Sequence, residues 1–122
     1  MKFTIWGNPI AKPRMVKSDK WKKRPCVEAY FRWVNYAKYT VKDLPNDIYG
    51  IAINAYIEFP KSYSQRKMLK LANKGHRQKP DCDNILKAVM DALIKEDKGV
   101  CSARVNKYWD DGNGARVEVE VW

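Results

Sequence analysis

IAINAYIEF (51–59) alternates apolar and polar residues over nine positions. Ile51, Ile53, Ala55, Ile57 and Phe59 share one side, the period of a half-buried β-strand, so a sheet with one covered face is expected. Towards the N-terminus, KFTIW (2–6) repeats the alternation with Phe3 and Ile5, until Gly7, Pro9 and Pro13 break it. Between the two strands, residues 26–42 place Val27, Tyr30, Phe31, Val34, Ala37 and Tyr39 mostly three apart, a helical period that LPND stops. Towards the C-terminus, 63–73 predicts a short basic helix with Met68, Leu69 and Ala72 apolar. Residues 84–95 predict an amphipathic helix with Ile85, Leu86, Val89, Met90, Ala92 and Leu93 inward. Residues 100–108 and 115–121 read as two strands of a hairpin, joined at DDGNG by a turn rich in residues that accept positive φ. Strand, helix, strand, helix, helix, hairpin predicts a single α+β domain over 1–122, with helices packed on a mixed, mostly antiparallel sheet.

With 122 residues the chain can bury a core without metal or disulfide staples. Cys26, Cys82 and Cys101 form an odd set without CxxC spacing, which argues against a disulfide framework or a cysteine zinc site and for a reducing compartment. No apolar run approaches the roughly 20 residues of a membrane span, and the start lacks the apolar core of a secretory signal, so a cytoplasmic protein is expected. The formal net charge of +10 attracts polyanions, nucleic acid first among them. That charge is clustered. Lys12, Arg14, Lys17, Lys20, Lys22, Lys23 and Arg24 stand in one loop against the single acid Asp19, with Trp21 among them to stack on bases. From Lys61 to Lys79 there are seven Lys or Arg and no acid, and His76, Arg77 and Lys79 at its end are expected to contact phosphate. His76 is the only histidine, which excludes a histidine metal cluster. Trp6, Trp33, Tyr30 and Tyr36 are assigned to the core or a dimer interface.

Against this basic background, KPDCDNILK (79–87) sets two aspartates one residue apart. A helix beginning at Asn84 makes Asp83 its N-cap, with Lys87 one turn on and Asp91 a further turn, all on nearly one side. Asp81, just outside the helix, brings its carboxylate beside that of Asp83. Two carboxylates so close repel unless a cation lies between them, and Mg²⁺ is the hard-oxygen choice. Lys87 is then placed to steady charge on a phosphate. Singly, each residue has an ordinary explanation: a cap, an i,i+4 pair, a turn after Pro80. As a set flanked by basic segments, they point to phosphodiester chemistry.

Lys79-Pro-Asp-Cys-Asp-Asn-Ile-Leu-Lys87, followed by Asp91-Ala-Leu93, resembles the KPDxDNxxKxxxDAL signature of RusA-type Holliday-junction resolvases. Gly7-x-Pro9-x-x-Lys12-x-Arg14 resembles the GxPxxKxR start of the same family. The resemblance implies a small homodimeric α/β protein that binds four-way DNA junctions in recombination and repair. With Mg²⁺, or Mn²⁺ as a substitute, it would cut two strands symmetrically. It makes Asp81 and Asp83 metal ligands and catalytic residues, Lys87 a catalytic lysine, and Asp91 and Ser102 positions for a third ligand or an outer partner of the metal.

The family pattern after the helix resembles WxDDxQV, and aligned without a gap Cys101 and Ser102 stand where its acidic pair is expected. A second reading is therefore a catalytically weakened protein that still binds branched DNA. Glu96 and Asp97 are nearby acids, whereas Trp109-Asp110-Asp111 is read as a turn. A third reading is a PD-(D/E)xK nuclease, from Pro80-Asp81 followed by Glu96-Asp97-Lys98, a short pattern that chance supplies easily.

Overall fold

The computed structural model describes residues 1–122. Its elements are β1 (Lys2–Trp6), α1 (Pro25–Thr40), β2 (Gly50–Ile57), α2 (Gln65–Leu71), α3 (Cys82–Leu93), β3 (Ser102–Trp109) and β4 (Arg116–Val121), with 3-10 turns at Lys17–Lys20 and Asp97–Gly99. The sheet order is β1-β4-β2-β3. β3 runs parallel to β2, and the other two pairings are antiparallel. The α+β class and the mixed, mostly antiparallel sheet are as expected, and no helix is long and apolar enough to cross a membrane.

One pairing differs from the expectation. β3 and β4 form no hairpin, because β4 lies between β1 and β2 while β3 takes the outer edge of β2. Burial explains the exchange: Val117, Val119 and Val121 of β4 are all fully covered, as a strand with two neighbours requires. The first three residues of β3 are exposed, which suits an edge. The long connection from β2 through α2 and α3 is also what a parallel neighbour needs.

Alternation in β2 buries Ile51, Ile53, Ala55 and Ile57 on the face that carries Ile5, Val117, Val119 and Val121. Tyr30, Trp33, Val34 and Ala37 of α1, with Ile85, Ala88, Val89 and Ala92 of α3, cover that face in one 17-residue core. Each large aliphatic side chain removed from water there contributes about 1.5–3 kcal/mol. Of the aromatics assigned to core or interface, Tyr30 and Trp33 are buried, while Trp6 and Tyr36 are exposed.

Helix ends moved by about two residues. α1 starts with Pro25 in its first turn, where a missing N–H costs nothing, and α2 is capped by Ser64 Oγ accepting from Lys67 N at 3.2 Å. α3 begins at Cys82 instead of Asn84: the Asp81 carbonyl accepts from Asn84 N and Ile85 N, both at 3.1 Å. Asp81, not Asp83, therefore occupies the N-cap position, and Asp83 lies in the first turn.

Candidate metal and nucleic-acid site at the start of α3

The chain reaches α3 along the free edge of β3. Asn73 N donates to Trp109 O at 3.2 Å, Trp109 N to Lys74 O at 2.9 Å and His76 N to Lys107 O at 3.0 Å. It then turns, through a cis Lys79–Pro80 peptide, to Asp81. Under the turn, Lys107 Nζ donates to Gln78 O at 2.6 Å and to Pro80 O at 2.7 Å.

The Asp81 carboxylate makes no capping hydrogen bond. Asp83 is 68% exposed and meets only Lys87 Nζ, at 3.9 Å, itself 63% exposed. Such a pair in water holds its partners weakly, so the oxygens of both aspartates stay available. The partial positive charge of the α3 N-terminus favours the two anions where they stand.

The N-terminal motif packs beside this turn, where Pro9, Ile10 and Ala11 line a cleft of about 440 Å³ with Lys79, Pro80, Asp81 and Asn84. Lys12 Nζ lies 2.7 Å from Asp91 Oδ2, which also accepts from Tyr30 Oη at 3.1 Å. Burial, reinforced by the Asp91 charge, pushes the Tyr30 phenol well above its ordinary pKa, keeping it a neutral donor.

Asp91 is thus committed to Lys12 and Tyr30, and it lies eight residues, about 12 Å of helix, from Asp83. Within one chain that placement keeps Asp91 apart from Asp83 and holds Lys12 against Asp91. Ser102 is also distant. Its amide and that of Cys101 donate to Tyr49 O, at the end of the sheet opposite Lys107, five residues or about 17 Å along β3. The family-like departure at Cys101 and Ser102 therefore lies away from the carboxylates. Glu96 and Lys98, 3.6 Å apart in the turn after α3, stand roughly a helix length of about 18 Å from Asp81. The fold does not bring the ExK pattern to the aspartates.

In the basic loop, Arg24 donates to Asp19 through Nε at 2.7 Å and Nη2 at 2.8 Å, and to Arg14 O at 2.8 Å. The guanidinium holds the Asp19 carboxyl down to about 2. This clamp folds the loop around Val16, whose N–H also reaches Asp19, and leaves Arg14, Lys17, Lys20, Lys22 and Lys23 exposed. Trp21 among them is 70% exposed, uncovered as a stacking residue must be. Arg77 and Lys79 are exposed too, but His76 corrects the expectation of phosphate contact. It is buried edge-on against Trp109, ring centroids 4.4 Å apart. Burial, then the Lys107 charge, lowers its pKa and keeps it neutral.

The second acidic pair is structural. Asp110 Oδ1 accepts from Gly112 N and Gly114 N. Asp111 clasps the Arg116 guanidinium at 3.0 and 2.9 Å, and Arg116 also reaches Glu118 and lies 3.9 Å over the Tyr56 ring. Sequence reasoning missed the buried Arg116 and the half-buried Lys107. The signal for Lys107 was there: strand alternation puts it on the inward side with Val105 and Trp109.

No group of three or more His, Cys, Asp or Glu side chains converges to hold a metal. Asp81 and Asp83 supply hard carboxylate oxygens without a softer donor, which fits a Mg²⁺ that keeps most of its waters and takes one or two protein carboxylates.

A family model for the endodeoxyribonuclease RusA matches residues 7–121. An uncharacterized protein, YqaN of Bacillus subtilis (strain 168), is 32% identical over 137 residues, covering 99% of this chain and 94% of that protein. The matched span takes in both segments that meet at the start of α3, and over that span the chain belongs to the RusA endodeoxyribonuclease family.

Proposed function

We propose that this endodeoxyribonuclease is a Mg²⁺-dependent resolvase that, as a homodimer, cuts four-way DNA junctions in recombination and repair within the cytoplasm. The observation that carries the reading is the pair Asp81 and Asp83, held by nothing but a weak 3.9 Å contact from Lys87 to Asp83, on a helix end flanked by exposed cations. Both carboxylates would hold the metal. When bound, Mg²⁺ supplies charge neutralisation at the phosphate and a bound water of lowered pKa. Lys87 needs only to leave its weak pairing with Asp83 to offer an ammonium to the scissile phosphate. Arg14, Lys17, Lys20, Lys22, Lys23, Arg77 and Lys79 would follow the DNA backbone, and Trp21 would stack on a base opened at the branch. Two copies related by a two-fold axis would present two such sites to the two symmetric strands of a junction.

The lack of a third converging acid favours one further reading, a protein that binds branched DNA but cuts it poorly. A single assay separates the two: synthetic four-way junctions incubated with wild type and with Asp81→Asn in Mg²⁺, in Mn²⁺ and in EDTA. Paired nicks by the wild type in metal alone, lost in Asp81→Asn while the gel shift persists, support the resolvase. Shifted but intact junctions in both metals sink it and leave the binding protein.

A further inference from the structure

Strand alternation turns Val105, Lys107 and Trp109 toward the covered face of the sheet, and Lys107 pairs in register with the fully buried Ala55. A half-buried lysine in that position can carry its ammonium out to water or to acceptors of the chain. Lys107 enters none of the ion pairs of the molecule. Its ammonium instead gives two of its three protons to backbone carbonyls, Gln78 O at 2.6 Å and Pro80 O at 2.7 Å. Its own carbonyl holds His76 N at 3.0 Å, so one residue grips the lead-in to α3 at three points.

The second of those carbonyls belongs to the peptide unit that joins Pro80 to Asp81. Six atoms of that unit, from one Cα to the next, move as a rigid plate. Holding its oxygen restricts where the Cα of Asp81 can lie. On the other side, the Asp81 carbonyl is held by Asn84 N and Ile85 N at 3.1 Å. The backbone of Asp81 is thereby clamped from both directions, while its carboxylate keeps no partner within the chain.

We infer that Lys107 is a positioning residue for the candidate metal site, setting the separation of the Asp81 and Asp83 carboxylates through the carbonyls of Gln78 and Pro80. The assignment rests on the metal-dependent reading above. Lys107 touches neither phosphate nor metal in this role. It transmits the rigidity of β3 to an aspartate that stands at the end of a loop, which would otherwise leave its oxygens too mobile to bind a cation well.

The test uses the full chain free of DNA. Mn²⁺ uptake is followed by electron paramagnetic resonance, and amide exchange is measured without metal, for wild type, Lys107→Met, Lys107→Arg and Asp81→Asn. Lys107→Met is expected to raise the half-saturating Mn²⁺ concentration at least about tenfold and to speed exchange only around residues 78–85. Lys107→Arg, whose guanidinium can serve two carbonyls, should recover much of both. Should Lys107→Met fail to fold, Lys107→Gln, which keeps a donor for one carbonyl, carries the same two readouts. If wild type and the Lys107 variants take up Mn²⁺ equally, the assignment is overturned and Lys107 is only a tether. If wild type takes up no Mn²⁺ and Asp81→Asn is equally silent, the metal reading itself falls and the assignment falls with it.

Discussion

The chain contains two short acidic pairs, Asp81 with Asp83 and Asp110 with Asp111, and the fold treats them oppositely. The turn after β3 has consumed its pair. Asp110 receives two backbone amides, and Asp111 faces Arg116, which is only 7% exposed, so hydrogen bonds from that guanidinium hold the Asp111 carboxyl far below the ordinary range. At the start of α3 the same chemical groups meet water and one distant lysine. A carboxylate locked in a tight ion pair and turn gives up little to a further partner, whereas one facing water keeps its oxygens open. Local spacing alone does not decide that; the neighbours that folding delivers do.

Substitutions of matched chemistry at the two places would break that contrast if it were wrong. On the metal reading, Asp83→Asn should lower junction cutting by about a hundredfold or more, with stability reduced by less than about 1 kcal/mol. Asp111→Asn should do the reverse. Replacing the charged clasp on Arg116 by a neutral amide, with Glu118 and the Gly114 carbonyl still in place, costs about 2 kcal/mol in urea unfolding, while the protein that remains folded cuts normally. Equal effects of the two substitutions on cutting would refute the distinction.

Smaller effects sharpen it. Asp91→Asn frees Lys12 and weakens the Tyr30 hydrogen bond, and because the pair is about 40% exposed the loss is limited by solvent to about 1 kcal/mol. His76 gives a pH signature with a definite sign. Its folded pKa lies below the ordinary 6.5, so the unfolded chain takes up a proton that the folded one refuses. Stability from this source is complete above about pH 6.5 and declines as pH falls below it. His76→Phe should flatten the stretch of the stability profile just below about pH 6.5, leaving the loss from Asp19 and Asp111 to begin lower, near the ordinary carboxylate range of about 4. Last, Ser102→Asp should change stability by less than about 0.5 kcal/mol and give no gain in cutting. A gain would mean that the start of β3 reaches the carboxylates after all.

Periodicity made most of the elements legible. Ile51 to Ile57 and the 84–95 stripe each carry their burial in their spacing, and both were found within about two residues. The hairpin was misread because DDGNG has the chemistry of a tight turn, and such a turn says that the chain reverses but not which strand it pairs with next. The order of strands depends on which has two apolar neighbours, a property of the whole sheet. The aspartates were legible because they stand together in sequence. Within one chain Asp91 and Ser102 lie away from the aspartate pair because helix and strand lengths, not sequence distance, determine reach. Lys107 escaped notice because its acceptors are carbonyls, which every residue carries and no sequence pattern marks.

The placement of β4 has a consequence for how the molecule assembles. β1 has no neighbour but β4, more than a hundred residues away from Lys2 to Glu120, and β2 is flanked on one side by the same strand. A nascent chain that has made every other element still holds its first strand unpaired and one edge of its central strand open. Folding of this sheet is thus a late, cooperative event dominated by long-range contacts, slow for a chain of this size and exposed to edge-to-edge association until Arg116–Val121 arrives.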